Sequence, residues 1–307
     1  MEGHGPILVP LDGSETAEGA LSCAATLAEA LRTHMVLITA WEGVDSELGS
    51  RRPALMLEVD ANARDHYTAY LHGVRERMKD PSVRTIVRSG DAVDEILSAA
   101  TETGARMIVM ATHGRSGLSR WLYGSTAARL LRESHLPLVA VGPGALRPTI
   151  ERRPLRRVAV ALDGSRIAEQ AVPAARAIAE AAGAELMLIE CVGWAVQQYP
   201  YGLPAALAPE LDDELEAAAR TYLLEQRELL APMAAQAFVV RGSTADGLIE
   251  FVDQQEIDLV VMTTHAREGA ARAVLGSTAD RMLQGAAPVL LIVAATGEGD
   301  AAHAGKG

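Results

Sequence analysis

A glycine-rich segment in the first half of the chain has residue types and spacing that suit the binding of an anion. The apolar run at residues 107–111 ends abruptly in polar sequence, which predicts a buried strand that leaves its sheet into a loop. Gly114 and Gly117 allow that loop to bend sharply and its backbone to approach a ligand. Residues 124–126, Gly-Ser-Thr, then precede a helical run at 127–133, and the N–H groups at a helix start favour a negative charge. The pattern predicts a loop that cradles phosphates.

A second candidate is Asp12, which follows the apolar run 7–11 in the turn Asp12-Gly13-Ser14. Ligands of a doubly wound parallel sheet bind beyond the carboxyl ends of the strands, where the strand order reverses. The turns after the first and fourth strands both lie at those ends, so we expect Asp12 and the Gly114 loop to form one pocket. The alternative is that Asp12 only stabilises its own turn or the start of the following helix.

The order of the predicted elements indicates an α/β fold. Short apolar runs alternate with amphipathic stretches of helical period, which is typical of a parallel sheet covered by helices on both faces. In the first half we predict strands at 7–11, 35–39, 83–87, 107–111 and 138–141, and helices at 21–31, 55–78, 92–102 and 126–133. In the second half we predict strands at 158–162, 186–190, 237–240, 259–263 and 289–293, and helices at 168–182, 211–230, 245–254 and 278–284.

The two halves repeat one another at a period of about 150 residues. Asp12-Gly13-Ser14 recurs as Asp163-Gly164-Ser165, and the helix start Gly124-Ser125-Thr126 recurs as Gly276-Ser277-Thr278. So long a period predicts two tandem doubly wound domains, each with a five-stranded parallel sheet flanked by helices. We place them at residues 1–145 and 155–295. Residues 146–154 form a basic linker, which we expect to be solvated or to face an acidic partner, and 296–307 a disordered tail.

Composition argues against several classes of function. The net charge of −12 opposes non-specific binding to nucleic acid, which relies on Lys and Arg. No apolar run reaches the roughly 18 residues of a membrane helix, and the N-terminus does not resemble a signal peptide, so we expect a cytoplasmic protein with no membrane partner. The two cysteines, Cys23 and Cys191, indicate no disulfide framework.

No residue stands out as catalytic. The chain contains neither the P-loop pattern GxxxxGK[ST] nor HExxH, so a fast P-loop hydrolase is not expected. His113 has no nucleophile or metal partner at a useful spacing, and we interpret it as structural or adjacent to phosphate. We predict no certain metal ligand, and at most slow hydrolysis of a bound nucleotide.

The sequence resembles the universal stress protein family across nearly its whole length. The family's nucleotide-binding pattern is G-x-x-G-x9-G-[ST]. Here Gly114 is its second glycine, nine residues follow it, beginning Arg115-Ser116-Gly117, and Gly124-Ser125 end the pattern. Ala111 stands at the position of the first glycine. The opening strand and its turn, residues 7–14, match as well. The resemblance implies a Rossmann-like, adenine nucleotide alpha hydrolase-like fold and binding of ATP, with or without Mg²⁺. It leaves ADP, AMP and cyclic AMP open as ligands.

The resemblance also implies which residues hold the nucleotide. Four would line the adenosine: Pro10, Leu11, Asp12 and Ala40. Eight would hold ribose and phosphates: Met110, Ala111, Gly114, Arg115, Ser116, Gly124, Ser125 and Thr126. The second half keeps weaker counterparts at Asp163, Gly276, Ser277 and Thr278, but Thr263 and Ala266 replace glycines and Glu268 adds a negative charge. We therefore expect the second site to be degenerate.

Three functions are compatible with these residues. The first is an ATP-binding protein with a regulatory role in the stress response. The second is a dimerisation or interaction protein that binds no nucleotide, which Ala111 favours. The third is a slow ATPase or an enzyme that processes adenylates. The fifth strand is short, apolar and last in its domain, and such an edge invites pairing. The resemblance implies that the two domains pair through these strands within the chain, and we expect a homodimer.

Overall fold

The computed structural model describes residues 5–42, 53–112, 124–194, 207–263, 277–284 and 289–294. Residues 113–123 of the glycine-rich segment and the predicted tail at 296–307 lie outside these residues. The chain divides into two compact units, with the main boundary between Pro154 and Leu155.

The first unit alternates strands with helices in the predicted order. Its strands are β1 (Ile7–Pro10), β2 (Met35–Trp41), β3 (Arg84–Ser89), β4 (Met107–Ala111) and β5 (Leu138–Val141). Its helices are α1 (Glu15–Glu18), α2 (Leu21–Ala30), α3 (Pro53–Met78), α4 (Ala92–Thr103) and α5 (Ser125–Glu133), with a 3₁₀ turn at Pro143–Ala145. Most of the side chains in β1, β2, β4 and β5 are buried aliphatic ones, as expected for strands covered on both faces.

The five strands pair in parallel in the order β3-β2-β1-β4-β5. The chain runs outward from β1 to β3 and returns to β4 on the other side of β1. The strand order therefore reverses between β1 and β4. Right-handed crossovers place α2 and α3 on one face of the sheet and α4 and α5 on the other. All five carboxyl ends lie along one edge.

The second unit has the same order of elements. Its strands are β6 (Arg157–Leu162), β7 (Glu185–Val192), β8 (Ala235–Arg241), β9 (Leu259–Thr263) and β10 (Val289–Val293). Its helices are α6 (Arg166–Glu169), α7 (Val172–Ala182), α8 (Ala208–Leu229), α9 (Thr244–Gln254) and α10 (Ser277–Gln284). These strands pair in parallel in the order β10-β9-β6-β7-β8. The predicted α/β, doubly wound fold class is confirmed.

Two helices differ from their predictions. The helix predicted at 168–182 is interrupted between α6 and α7, and α7 begins with Pro173 in its first turn. Proline has no N–H to donate, so it suits a helix start and opposes a continuous helix. The four-residue helix α1 was not predicted, because four residues are too few to show a helical period. Among the described residues, no helix is both long and apolar enough to cross a membrane.

The segment predicted to be a solvated linker follows the surface of α2. The Ser22 hydroxyl donates to the Glu151 carbonyl, and the Arg153 N–H donates to the Thr26 hydroxyl at 3.0 Å. The Arg152 guanidinium lies 3.0 Å from an Asp80 carboxylate oxygen. The side chains at 151–154 are exposed, as a solvated linker requires, but hydrogen bonds attach the backbone to the first unit.

Replacing Thr26 by valine is expected to release the end of this linker. Valine keeps the shape of threonine but cannot accept the hydrogen bond from Arg153, and a bond of this kind contributes about 1 kcal/mol. Trypsin cleaves after Arg152, whereas Arg147 and Arg153 precede prolines and resist it. We expect cleavage after Arg152 to accelerate about fivefold in Thr26→Val, measured by mass spectrometry of timed digests.

The matched control is Thr101→Val, whose hydroxyl bonds only to Leu97 within its own helix. Equal cleavage after Arg152 in Thr26→Val and in the unmodified chain would show that this hydrogen bond does not hold the linker.

Candidate functional site

A cavity of about 260 Å³ opens at the carboxyl ends of β1, β2 and β4. The strands contribute Pro10, Ile38 and Ala40, together with Met110 and Ala111. The first turns of α4 and α5 supply the opposite wall. The cavity therefore lies at the point where the strand order reverses, which is the usual ligand position in such sheets.

Pro10 ends the paired part of β1 beside the cavity and has no N–H to donate to β4. The neighbouring Leu11 N–H donates to Ile38 of β2 at 2.8 Å, so the nitrogen of Pro10 faces β4 on the other side. Proline has no hydrogen there to donate. The paired register of β1 with β4 covers Ile7 and Leu8 only, whereas its register with β2 continues to Pro10. The missing donor allows β1 and β4 to separate where the cavity opens.

Asp12 lies at the rim of the cavity in a tightly bonded turn. One carboxylate oxygen accepts from the Ser14 backbone N–H at 2.9 Å and from the Ser14 hydroxyl at 2.6 Å. The Ser14 hydroxyl in turn accepts from Ala17 N–H at 3.1 Å and caps α1. Gly13 makes this turn possible with a φ of 83°. The structure thus supports the turn-stabilising role of Asp12 while orienting its carboxylate at the cavity.

Backbone hydrogen bonds fix the two ends of the glycine-rich loop, at Thr112 after β4 and at Gly124 before α5. Gly124 N–H donates to the Thr112 carbonyl at 2.9 Å, and Thr112 N–H donates to Val141 of β5 at 3.1 Å. Residues 113–123 lie between these two anchors and outside the described residues. Both anchors line the cavity, so the loop begins and ends at its rim.

The start of α5 is suited to an anion. The Gly124 carbonyl accepts from Ala128 N–H at 3.0 Å, which makes Gly124 the residue preceding the helix. The N–H groups of Ser125, Thr126 and Ala127 belong to the first turn, where no carbonyl within the helix can accept them. All three residues line the cavity. The helix dipole adds partial positive charge at this end.

None of the described residues that line the cavity is a lysine or an arginine. Among all the residues that the structure describes, no group of three or more His, Cys, Asp or Glu side chains could hold a metal ion. Among the described residues, an anion at α5 would therefore meet backbone N–H groups and the helix dipole rather than a basic side chain.

The structure gathers most of the predicted first-half residues around this one cavity. Gly114, Arg115 and Ser116 lie outside the described residues. Those that line it are Pro10, Leu11, Asp12, Ala40, Met110, Ala111, Gly124, Ser125 and Thr126. Six further lining residues were not predicted as site residues: Ala17, Ile38, Ala92, Ile96, Thr112 and Ala127. Four of these six, Ile38, Ala92, Ile96 and Ala127, are small or apolar residues on predicted elements, where sequence gives no sign that they face a ligand rather than the core.

The second unit differs at the corresponding positions. Asp163 accepts from Ser165 N–H at 3.0 Å as Asp12 does from Ser14, but Asp163 is exposed whereas Asp12 is half-buried. Gly276, the predicted loop at 264–268 and the side chain of Ser277 lie outside the described residues, and Thr278 is half-buried. Cys191 occupies the position on β7 that Ala40 occupies on β2. Its thiol lies 3.8 Å from the Ser243 carbonyl, and burial raises the pKa of the thiol to about 11.

Cys191 is therefore expected to react slowly with thiol reagents. The thiolate is the nucleophile, and a pKa near 11 leaves little of it at pH 8. In Cys23→Ser, which leaves one thiol, labelling by a chromogenic disulfide should be about 100-fold slower than in the unfolded chain. The rate should rise roughly tenfold per pH unit between 8 and 10. A rate that levels off near pH 9 would contradict a raised pKa.

The architecture and the position of the cavity define a class of protein. Two tandem parallel sheets, each with a reversal of strand order beside the first strand, form a Rossmann-like fold of the adenine nucleotide alpha hydrolase-like kind. The family model described as "Universal stress protein family" matches residues 4–142 and 154–293. The chain belongs to the universal stress protein family, in its tandem-domain form.

The similar proteins are distant in sequence. Universal stress protein Rv2005c of Mycobacterium tuberculosis is 29% identical over 191 residues, which cover 62% of this chain and 62% of that protein. Universal stress protein MJ0531 of Methanocaldococcus jannaschii is 30% identical over 142 residues, covering 45% of this chain and 81% of that protein. A crystal structure of a universal stress protein from Archaeoglobus fulgidus is similar with a TM-score of 0.61 at 15% identity, covering 96% of this chain and 99% of that one. The chain thus aligns with about 62% of the length of the mycobacterial relative.

Proposed function

We propose that the first unit binds ATP and that the protein acts as a regulatory, nucleotide-responsive member of the stress response. One observation carries the proposal: a single cavity brings together the Asp12 carboxylate, an apolar wall and the N-terminus of α5. The cavity lined by the described residues has a volume of about 260 Å³, which is slightly below the roughly 300–1,000 Å³ of small-molecule sites.

Each part of a nucleotide has a matching surface. The flat, weakly polar base suits the aliphatic side chains of Ile38, Ala40 and Ile96, which line the cavity. Ribose hydroxyls are donors and suit a carboxylate acceptor such as Asp12, which lines the cavity. The phosphates suit the first turn of α5, where Ser125 and Thr126 present backbone N–H groups and hydroxyls.

The residues present also fit a magnesium ion carried by the phosphates. Mg²⁺ keeps several waters and is held by one or two protein oxygens in addition to phosphate oxygens. Asp12 and Ser125 supply such oxygens at the cavity. The ion would neutralise phosphate charge, and the described lining residues would bind and orient the nucleotide without an evident general base.

The first experiment is to purify the protein without added nucleotide, denature it, and identify what it releases. About one ATP per chain is expected, because the first unit carries the matched cavity and the second has an exposed Asp163. Two nucleotides per chain would contradict a degenerate second site. Release of cyclic AMP, AMP or ADP would keep the cavity as a nucleotide site and change its ligand. If nothing is released and no nucleotide binds on titration, the interaction-protein function is favoured.

A matched pair of variants locates the site. Ala40→Phe places a ring in the cavity of the first unit, while Cys191→Phe makes the corresponding change on β7. We expect Ala40→Phe to weaken ATP at least tenfold, a loss of about 1.4 kcal/mol, and Cys191→Phe to leave it within twofold. Calorimetric titration measures both, with a thermal melt to confirm folding. The reverse pattern would move the site to the second unit.

We also propose that the chain forms a homodimer, as expected above. Light scattering at micromolar concentration should give twice the chain mass of 32.4 kDa. A single-chain mass would exclude this part of the proposal and leave nucleotide binding unaffected.

A further inference from the structure

An ion pair joins the two helices whose N-terminal residues line the cavity. Both carboxylate oxygens of Asp91 lie 2.8 Å from one terminal nitrogen of the Arg129 guanidinium. The other terminal nitrogen of Arg129 lies 3.3 Å from Asp94. Asp91 immediately precedes α4, and Arg129 lies in the second turn of α5. The pair is about one-third exposed and joins residues far apart in sequence.

Asp91 is also held in place by hydrogen bonds that do not involve the arginine. Its carboxylate accepts the N–H groups of Val93 and Asp94, each at 3.0 Å, and so caps α4. The preceding Gly90 N–H donates to Trp41 at the end of β2, at 2.9 Å. The Asp94 N–H and then Arg129 hold the pKa of the Asp91 carboxyl below its usual range, so the carboxylate is charged at neutral pH.

Arg129 lies four residues after Ser125, which places both on the same side of α5. Fixing the guanidinium therefore fixes the rotation of α5 and the direction of its first-turn N–H groups. The wall contributed by α4, Ala92 and Ile96, stays attached to β2 through Gly90 and does not need the arginine. The pair thus acts on the end of the cavity that suits phosphate, and less on the apolar end.

The second unit has lost this arrangement. Ser243 stands where Asp91 stands, and its side chain makes no capping hydrogen bond to α9. Arg281, the counterpart of Arg129, pairs with Asp246, and both side chains are more than half exposed. Within the described residues, an arginine contact to the residue that caps this helix therefore belongs to the first unit.

We propose that Asp91 and Arg129 are positioning residues that hold the N-terminus of α5 in the geometry that binds phosphate. The inference rests on the proposed function, since it concerns the same cavity. The pair contributes to phosphate binding through the position of α5, and neither residue contributes by contact with the nucleoside. Their loss is therefore expected to weaken ATP more than adenosine.

The test compares ATP and adenosine on the full chain, by calorimetric titration or by competition. In Arg129→Met and in Asp91→Ser, which can still cap α4, we expect ATP to weaken about fivefold and adenosine to change less than twofold. The double variant should lose no more than either single one, because both remove the same contact. Arg281→Met, the matched change in the second unit, should leave both ligands unchanged.

Arg129→Lys separates geometry from charge, because lysine keeps the positive charge but has a single nitrogen and cannot contact Asp91 and Asp94 through two nitrogens as Arg129 does. We expect it to behave as Arg129→Met does. Amide hydrogen exchange at Ala128, whose N–H donates to Gly124, and at the residues that follow it in α5 should accelerate in Arg129→Met and not in Arg281→Met, since the start of α5 loses its support.

Three results would overturn the inference while the unmodified chain binds ATP. They are unchanged ATP affinity in Arg129→Met, equal weakening of ATP and adenosine, and full ATP affinity in Arg129→Lys. If the unmodified chain binds neither ligand, the proposed function fails and this inference fails with it.

Discussion

Burial of a parallel sheet on both faces is the constraint on which the rest of each unit depends. Ile7, Leu8 and Val9 of the central strand β1 have no exposed surface, and hydrogen bonds extend from this strand to a neighbour on each side. Polar groups cannot be accommodated along such strands without partners, so they collect in the turns. Because the strands are parallel, the turns that follow them meet at one edge. The reversal of strand order beside β1 then leaves an opening at that edge, which Pro10 widens.

The elements that depend on local pattern could be predicted from the sequence. The apolar run 35–39 predicts β2, which the structure extends to Trp41, and β4 is predicted with its observed bounds at 107–111. The convergence of Asp12 with residues 124–126 also followed from pattern, since parallel strands determine which turns share an edge. That these residues bind a nucleotide remains a prediction.

Features that depend on distant pairs could not be predicted. The Asp91–Arg129 contact joins residues 38 apart, and no period or motif marks either of them. Ile96 is a lining residue because of the rotation of α4 about its axis, whereas its spacing indicates only a buried helical face. The linker shows the same limit. Its charges and prolines indicate solvation, but its attachment depends on Thr26, which lies on another element. Local composition predicts exposure better than it predicts a backbone contact.

The two units show how far the cavity edge can change while the core stays the same. Thr39 of β2 corresponds to Glu190 of β7, a half-buried acid whose pKa is raised by burial and then by Asp163. Pro10 corresponds to Ala161, which has an N–H, and the β6–β9 register continues one residue further than that of β1 with β4. Neither change alters the strand order or the helices. Fold membership therefore follows from the core pattern, which both units keep. Ligand choice depends on the few edge positions where they differ, so it has to be argued for each unit separately.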